Sequence, residues 1–321
     1  MIFDIYEQSK EKIFQVIQTF LKTPPLIVWG SGATASLGLP SMWDLNEELK
    51  SKVEGFDLAS ENLEIELGKE KYLTWMPKIR KVIWEKVNEA DSSVLDKILS
   101  NDIKEFGGIR SLIEKFMDPH PRTVNIVTTN YDRVLEYILS YYNFPYTDGF
   151  NGKALSIFDE SSFVEKNVNV VKVHGSLNWF EIDGEIRFLP FNSNQETPQI
   201  IAPGKNKYQE AYNSPYRELI QKADSLIKTA SSFLVIGFGF NDEHLTPKIK
   251  AKVKQGTPVV LITKKITEST YEELKNAEKY VLMEETPSKT KVIYKENSSA
   301  KEVTEIIEGD YWQLQKFLEI I

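Results

Sequence analysis

The stretch Leu26-Ile27-Val28-Trp29-Gly30-Ser31-Gly32-Ala33-Thr34-Ala35 decides the fold. Its four leading apolar residues are too few for a helix and read as a buried β-strand. Gly30 ends that run, and the pattern Gly-x-Gly-x-x-Ala follows. A helical pattern then extends from about Thr34 to Leu49, with a break at Gly38-Leu39-Pro40. A strand, a glycine turn and a helix start, in that order, form a phosphate cradle. Glycine lets backbone amides approach an anion closely, and the helix N-terminus adds partial positive charge. A tight strand-to-helix turn without a ligand leaves the same pattern, so the motif needs support from the rest of the chain.

A dehydrogenase-type dinucleotide fold would next show a second strand ending in an acid about 20 residues on. Residues 51–68 are polar and acidic and hold no clean strand. The glycine loop therefore belongs to another kind of nucleotide-binding sheet.

Three later strand ends repeat the arrangement. Thr123–Thr129 is rich in β-branched residues and runs into Asn130-Tyr131-Asp132, followed by a helix over Arg133–Tyr141. Val168–Val173 ends in His174-Gly175-Ser176. Phe233–Ile236 ends in Gly237-Phe238-Gly239-Phe240-Asn241-Asp242. In open α/β sheets ligands sit beyond the carboxyl ends of the strands, so Asn130 and Asp132 face the same crevice as Gly30 and Gly32. Either residue also serves as an ordinary helix cap, but one cap does not require both. Of the three histidines, only His174 directly follows a buried strand. His120 sits in a Pro-rich turn and receives no role, and His244 reads as part of a solvent-facing helix start.

The remaining elements frame this sheet. A helix over Asp4–Lys22 has Ile13, Ile17, Phe20 and Leu21 on one face and stops at Pro24-Pro25. Residues 51–118 read as a helical insertion that covers a pocket and carries no chemistry. Trp75, Ile79, Val82, Ile83 and Lys86 mark one pattern, and Leu95, Ile98 and Leu99 another, with Asp91-Ser92-Ser93 as a helix start. Gly107-Gly108 precedes a further helix over Ile109–Met117. Residues 181–215 are loop-rich, with a hairpin at Asp183-Gly184. A helix over Glu218–Thr229 and a strand over Val259–Thr263 follow. The tail ends in a helix over residues 310–321, with Tyr311, Leu314, Leu318 and Ile321 on one face and Asp310 as its cap. The expectation is a single domain over 1–321, α/β in class. It has a Rossmann-like parallel sheet flanked by helices, a helical insertion at about 51–118, terminal helices at about 4–22 and 310–321, and no zinc module.

Composition narrows the function classes. The 321 residues are 41% hydrophobic and 12% aromatic, enough for a substantial core. The 39 Lys and Arg against 47 Asp and Glu leave a net charge of −8, a poor match to unaided binding of nucleic acid. With no cysteine there is no disulfide, thiolate zinc site or cysteine nucleophile. The lack of an apolar run near 18 residues and of a signal-peptide pattern implies a soluble, cytoplasmic chain with no membrane contact.

The four strand-end motifs, in this order and spacing, resemble the sirtuin-like NAD-binding family over roughly residues 24–265. Gly38-Leu39-Pro40-Ser41-Met42-Trp43-Asp44, Lys172–Phe180 and Ile236–Leu245 are most similar to its bacterial branch of antiphage NAD hydrolases. The resemblance implies that Gly30, Ser31, Gly32 and Thr34 lie in the loop that holds the NAD phosphates. It implies that Asn130 positions the ribose or the attacking water, that Asp132 orients the nicotinamide amide and that His174 is the general base. Gly237 and Gly239 match the turn near the adenosine. Two departures argue against protein deacylation: the four-cysteine zinc module is absent, and Ser41-Met42-Trp43 occupies the place of the family's Asp-Phe-Arg. The implied activity is hydrolysis of NAD⁺ to nicotinamide and ADP-ribose, with no metal. The alternatives are an ADP-ribosyltransferase or a non-catalytic NAD or ADP-ribose sensor, and less favoured a deacylase or a nuclease. Such an enzyme needs control. The apolar residues Trp75, Ile79, Trp312 and Leu318 on the insertion and terminal helices are candidates for homo-oligomer contacts and for docking a HerA-type ATPase; completing the core would use them equally well.

Overall fold

The apolar runs become strands of one sheet buried on both faces. The computed structural model describes residues 2–56, 63–100, 102–190, 197–204 and 213–321. Its strands are β1 (Leu26–Trp29), β2 (Val124–Thr128), β3 (Tyr146–Thr147), β4 (Val168–Lys172), β5 (Gly175–Ile182), β6 (Glu185–Phe188), β7 (Thr197–Ile200), β8 (Phe233–Ile236), β9 (Val259–Thr263), β10 (Tyr280–Thr286), β11 (Lys289–Lys295) and β12 (Val303–Glu308). Among the described residues nine of them form one mixed sheet in the order β12-β11-β10-β9-β8-β1-β2-β4-β3. Pairing is parallel from β10 through to β3 and antiparallel only at the β10-β11-β12 edge. The fold is thus a Rossmann-like, mainly parallel sheet flanked by helices. Successive side chains of a strand face opposite sides. Ile27 and Trp29 accordingly enter one core with the insertion helices, and Leu26 and Val28 enter the other.

The helices are α1 (Ile2–Phe20), α2 (Gly32–Ala35), α3 (Met42–Lys52), α4 (Leu63–Leu67), α5 (Met76–Leu99), α6 (Gly107–Met117), α7 (Val134–Tyr141), α8 (Tyr216–Thr229), α9 (Thr246–Lys254), α10 (Glu268–Leu274) and α11 (Leu314–Phe317). Helix α3 starts with a full capping box: Ser41 Oγ accepts the Asp44 N–H and Asp44 Oδ2 accepts the Ser41 N–H. The Asp183-Gly184 hairpin forms as expected, with both residues at positive φ, as a tight two-residue turn requires. Among the described residues no helix is long and apolar enough to cross a membrane.

Several expectations change. Asp91-Ser92-Ser93 does not start a helix; α5 runs through it, and Asp91 is a buried mid-helix residue. Pro198 lies in strand β7, at the outer edge of a three-stranded sheet, rather than in a loop. Residues 191–196 and 205–212 of the loop-rich region, and 57–62 of the insertion, lie outside the described residues. Residues 280–308 form an antiparallel edge, β10-β11-β12, beyond the expected strands. The C-terminal helix shrinks to one turn, α11, whose cap is Gln313 rather than Asp310. Ile79 is fully buried, and Trp75 and Leu318 are partly buried against the same core.

Candidate functional site

The sheet's register brings the strand ends together. Trp29 pairs with Ile236 on one side and Thr128 on the other, and Thr128 pairs with Lys172. The residues that follow these four positions therefore emerge along one edge. The chain order reverses between β1 and β8, since β2 and β4 lie to one side of β1 and β8 and β9 to the other. That reversal is the switch point at which open α/β sheets leave a crevice for a ligand.

At the switch point the two glycine turns meet backbone to backbone. The Gly30 N–H donates to Ile236 O at 2.9 Å and the Gly32 N–H to Gly237 O at 2.9 Å. A Cβ on Gly30 would lie 2.4 Å from Gly237 O, and one on Gly237, which has φ +59°, would lie 2.1 Å from Ala33 N. The glycines are thus needed for the turns to touch one another. The Gly32 and Ala33 N–H groups are committed within the fold, the latter to Gly30 O. Helix α2 is a single turn, so the helix-dipole part of the phosphate cradle is smaller than the sequence suggested. Gly239 differs from its neighbours: a Cβ there would meet only the Asn241 side chain, at 3.3 Å.

On the other side of β1 the strand ends are polar and buried. Asn130 Nδ2 donates to Gly30 O and to Thr34 Oγ1, each at 3.3 Å, and the Asn130 N–H donates to Thr128 Oγ1 at 3.0 Å. Asp132 Oδ1 accepts the Val134 N–H at 3.3 Å at the start of α7, and its Oδ2 lies 3.4 Å from Thr34 Oγ1. Asp132 therefore accepts the first N–H of α7 from one residue before its cap, Arg133, and also joins Thr34, which bridges it to Asn130. Burial pushes the Asp132 carboxyl up to about 6, against the opposing pull of Lys172.

His174 is 3% exposed, and its Nε2 lies 3.1 Å from Asp242 Oδ2, at ion-pairing distance but off the line of a hydrogen bond. Asp242 Oδ1 accepts the His244 and Leu245 N–H groups. The β8 turn thus reaches across to the histidine. His244 is half-buried with its ring 6.2 Å from that of His174, which corrects its reading as a solvent-facing residue.

Ser31, Thr34, Thr129, Asn130, Asp132 and His174 line one slot of about 70 Å³, walled by Leu39, Pro40, Met42, Leu45, Val87, Tyr131 and Pro203. That volume is several times what one water needs. Gly237 and Gly239 do not line it. Larger concavities, of about 750 and 1060 Å³, are lined by other residues. Among the described residues no set of three or more His, Asp or Glu is placed to hold a metal ion.

Two residues that no sequence motif singles out support the slot. Lys172 is buried at the end of β4; its Nζ donates to Asp132 O at 2.5 Å and to Glu136 Oε1 at 2.7 Å. A lysine inside the run Val168-Asn169-Val170-Val171-Lys172-Val173 was the available signal. The other is Asp91. Its Oδ1 accepts the Arg133 N–H at 2.6 Å, and its Oδ2 accepts Arg133 Nε, Arg133 Nη2 and the Tyr137 hydroxyl.

Comparison with known proteins bears on this site. The chain matches no curated protein. It is similar in structure to a Sir2 homolog crystallised as an NAD complex, with 15% identity, 85% of this chain and 87% of that chain covered, and a TM-score of 0.45. It is similar to a structure of Sir2 bound to acetylated peptide, with 11% identity, 76% and 83% covered, and a TM-score of 0.41. A sirtuin structure concerned with substrate affinity gives 13% identity, 79% and 88% covered, and a TM-score of 0.44. These likenesses are distant. Residues 124–282, which hold Asn130, Asp132, His174, Gly237 and Gly239, match the family described as the SIR2-like domain.

Proposed function

We propose that the protein is an NAD⁺ glycohydrolase that releases nicotinamide and ADP-ribose. The observation that carries this is the convergence of Asn130, Asp132 and His174 with Ser31 and Thr34 on one slot beside the switch point, beyond the ends of β1, β2 and β4. The match of residues 124–282 to the SIR2-like domain supports it.

The chemistry asks little of the protein. The C1′–N1 bond breaks with its electron pair going to the pyridine nitrogen, so a cationic ring leaves as a neutral one. The ribose carbon becomes an oxocarbenium ion, water adds to it, and one proton is released. The enzyme must hold the nicotinamide, steady the cation and receive that proton. In this reading Asp132 orients the nicotinamide amide. Holding the Asn130 nitrogen on Gly30 O and Thr34 Oγ1 directs its amide oxygen away from them, to accept a hydrogen bond from the ribose or the water. His174 takes the proton, and Asp242 at 3.1 Å stabilises the imidazolium that results. The slot holds a ring-sized group, with the phosphates outside it over Ser31, and the adenosine extends past Gly237 and Gly239.

The test is to incubate the purified protein with NAD⁺ and follow nicotinamide and ADP-ribose. Equal release of both is expected. Nicotinamide without free ADP-ribose would indicate a transferase, and neither product a sensor. His174→Ala and Asn130→Ala should each lose on the order of a hundredfold or more in kcat while remaining folded. Full activity in His174→Ala removes the proposed base.

An antiphage role by NAD⁺ depletion, a homo-oligomer and a HerA-type ATPase partner belong to the same proposal. They rest on the resemblance of Gly38–Asp44, Lys172–Phe180 and Ile236–Leu245 to that branch. Size measurement of the chain, alone and with such an ATPase, tests them. A monomer fully active on NAD⁺ without a partner would remove the regulatory part.

A further inference from the structure

One helix outside the sheet grips both polar strand ends. Helix α5 presents Trp84, Val87, Asn88 and Asp91 along one face, at the i, i+3, i+4, i+7 spacing of a single helical stripe. At one end of the stripe, the Trp84 indole N–H donates to Leu177 O at 3.0 Å, three residues past His174. At the other, Asp91 accepts the Arg133 N–H, directly after Asp132. Trp84 and Asp91 are about 10 Å apart along the helix, at roughly 1.5 Å per residue. Between them Val87 is part of the slot wall.

Both grips are buried and reinforced. Asp91 is fully buried, and Arg133 Nε, Arg133 Nη2 and the Tyr137 hydroxyl converge on its second oxygen. Arg133 Nη2 also reaches Asn88 Oδ1 at 3.5 Å. The Trp84 ring stands edge-on to Phe180 at 5.9 Å, which fixes the indole that holds Leu177. The two gripped loops are also joined to each other, since the Leu177 N–H donates to Tyr131 O at 3.1 Å. Lys172 braces the Asp132 carbonyl from the sheet side, so α5 is the brace on the opposite flank.

We infer that Asp91 and Trp84 are positioning residues: α5 sets the separation of the Asn130–Asp132 loop from the His174 loop, and a displacement of α5 uncouples them. The insertion then controls the slot through these two residues. The role in turnover rests on the glycohydrolase reading; the role in holding the loops does not.

Two variants and two readouts separate these. Trp84→Phe removes only the indole donor and keeps an aromatic ring against Phe180. Asp91→Asn keeps the size but turns an amide N–H₂ toward Arg133 and Tyr137. Hydrogen–deuterium exchange followed by mass spectrometry needs no activity. Exchange in peptides covering 174–178 is expected to rise about tenfold in Trp84→Phe, and in those covering 129–134 in Asp91→Asn. Exchange in β8, β9 and β10 should stay unchanged. In steady-state assays with NAD⁺, kcat is expected to fall tenfold or more with KM within about threefold. Unchanged loop exchange, or faster exchange spread over the whole sheet, overturns the inference, as does loosened loops with full kcat. If Asp91→Asn does not fold, Trp84→Phe decides alone. Loosened loops in a protein whose wild type leaves NAD⁺ intact would uphold the brace and defeat the glycohydrolase reading.

Discussion

Two pairs of neighbouring strand ends, β1 with β8 and β2 with β4, are built in opposite ways. At β1 and β8 the chain turns on glycines, the two turns touch through backbone alone, and amides are satisfied by the neighbouring turn. At β2 and β4 the turns carry Asn130, Asp132 and His174, and partners from elsewhere hold them: Thr34 touches the Asn130 and Asp132 side chains, Lys172 binds the Asp132 carbonyl, and Asp242 lies beside His174. The glycine side supplies shape and the polar side supplies groups that can act. A shape made by backbone contact tolerates no added atom. A set of buried polar groups tolerates no lost partner.

The largest effect is expected from removing a partner on the polar side. Lys172→Met strands the Glu136 carboxylate and the Asp132 carbonyl in a buried site. Breaking one side of a buried ion pair costs about 3–5 kcal/mol. Urea unfolding measures it. A loss under about 1 kcal/mol would show that water replaces the ammonium, and that the polar side is less tightly sealed than its burial implies.

Next comes the same test on the glycine side. Gly237→Ala places a Cβ in contact with the backbone of Ala33 and asks alanine to hold φ +59°. Left-handed backbone costs an L residue about 1–2 kcal/mol, and overpacking typically adds about 1–3. We expect a loss of about 3 kcal/mol in unfolding free energy. A fully stable Gly237→Ala would mean that the two turns are free to part, and that the glycines serve something other than their mutual contact.

These two regions also explain what could be read in advance. The strand ends were legible because each is a buried apolar run that stops abruptly at Gly, Asn or His, and because parallel strands place such stops on one edge. The bracing was not. Asp91-Ser92-Ser93 has the composition of a helix start, and only the tertiary contact with Arg133 reveals a buried acid inside α5. His244 stands near His174 because the β8 turn folds back, which no local pattern shows. The β10–β12 edge was readable in part: Lys289-Thr290-Lys291-Val292 alternates at the period of a strand, and Thr290 and Val292 are indeed buried. The glycines misled in a different way, since the same residues that cradle a phosphate also let two turns pack.

A third test addresses the polar side's charge. Burial holds the Asp132 carboxyl at about 6 in the folded protein, against 3.8 for an unperturbed aspartate. The folded state therefore binds more protons than the unfolded one between those values. Stability from this group is fully present below about pH 4 and is lost as pH rises through 6. The upper limit for one group is roughly 3 kcal/mol. Between pH 4.5 and 7, urea unfolding should show the wild type losing about 1–3 kcal/mol relative to Asp132→Asn, which cannot ionise there. Asp148 is also held at about 6 by its burial and its closeness to Glu136, and it contributes equally to both proteins. Parallel profiles for the two proteins would mean that Asp132 stays ionised throughout, with Lys172 outweighing its burial.

The smallest effect sharpens the comparison from within the glycine side. Gly239 lies two residues beyond Gly237, yet nothing in the backbone approaches it. An added Cβ meets the end of the Asn241 side chain at 3.3 Å, and that amide can move by the few tenths of an ångström required. Gly239 is also absent from the positive-φ residues, so alanine there is not strained by the backbone. A compatible Gly→Ala change stabilises by about 0.4–1 kcal/mol through the unfolded chain, and the Asn241 shift offsets part of that gain. Gly239→Ala should therefore change the unfolding free energy by less than about 1 kcal/mol. Because the adenosine end of NAD⁺ is proposed to pass this turn, KM for NAD⁺ is the more informative measurement on the same variant. A raised KM with unchanged stability would place the ligand against Gly239, whereas an unchanged KM would move the adenosine away from the β8 turn and leave Gly237 as a purely structural contact.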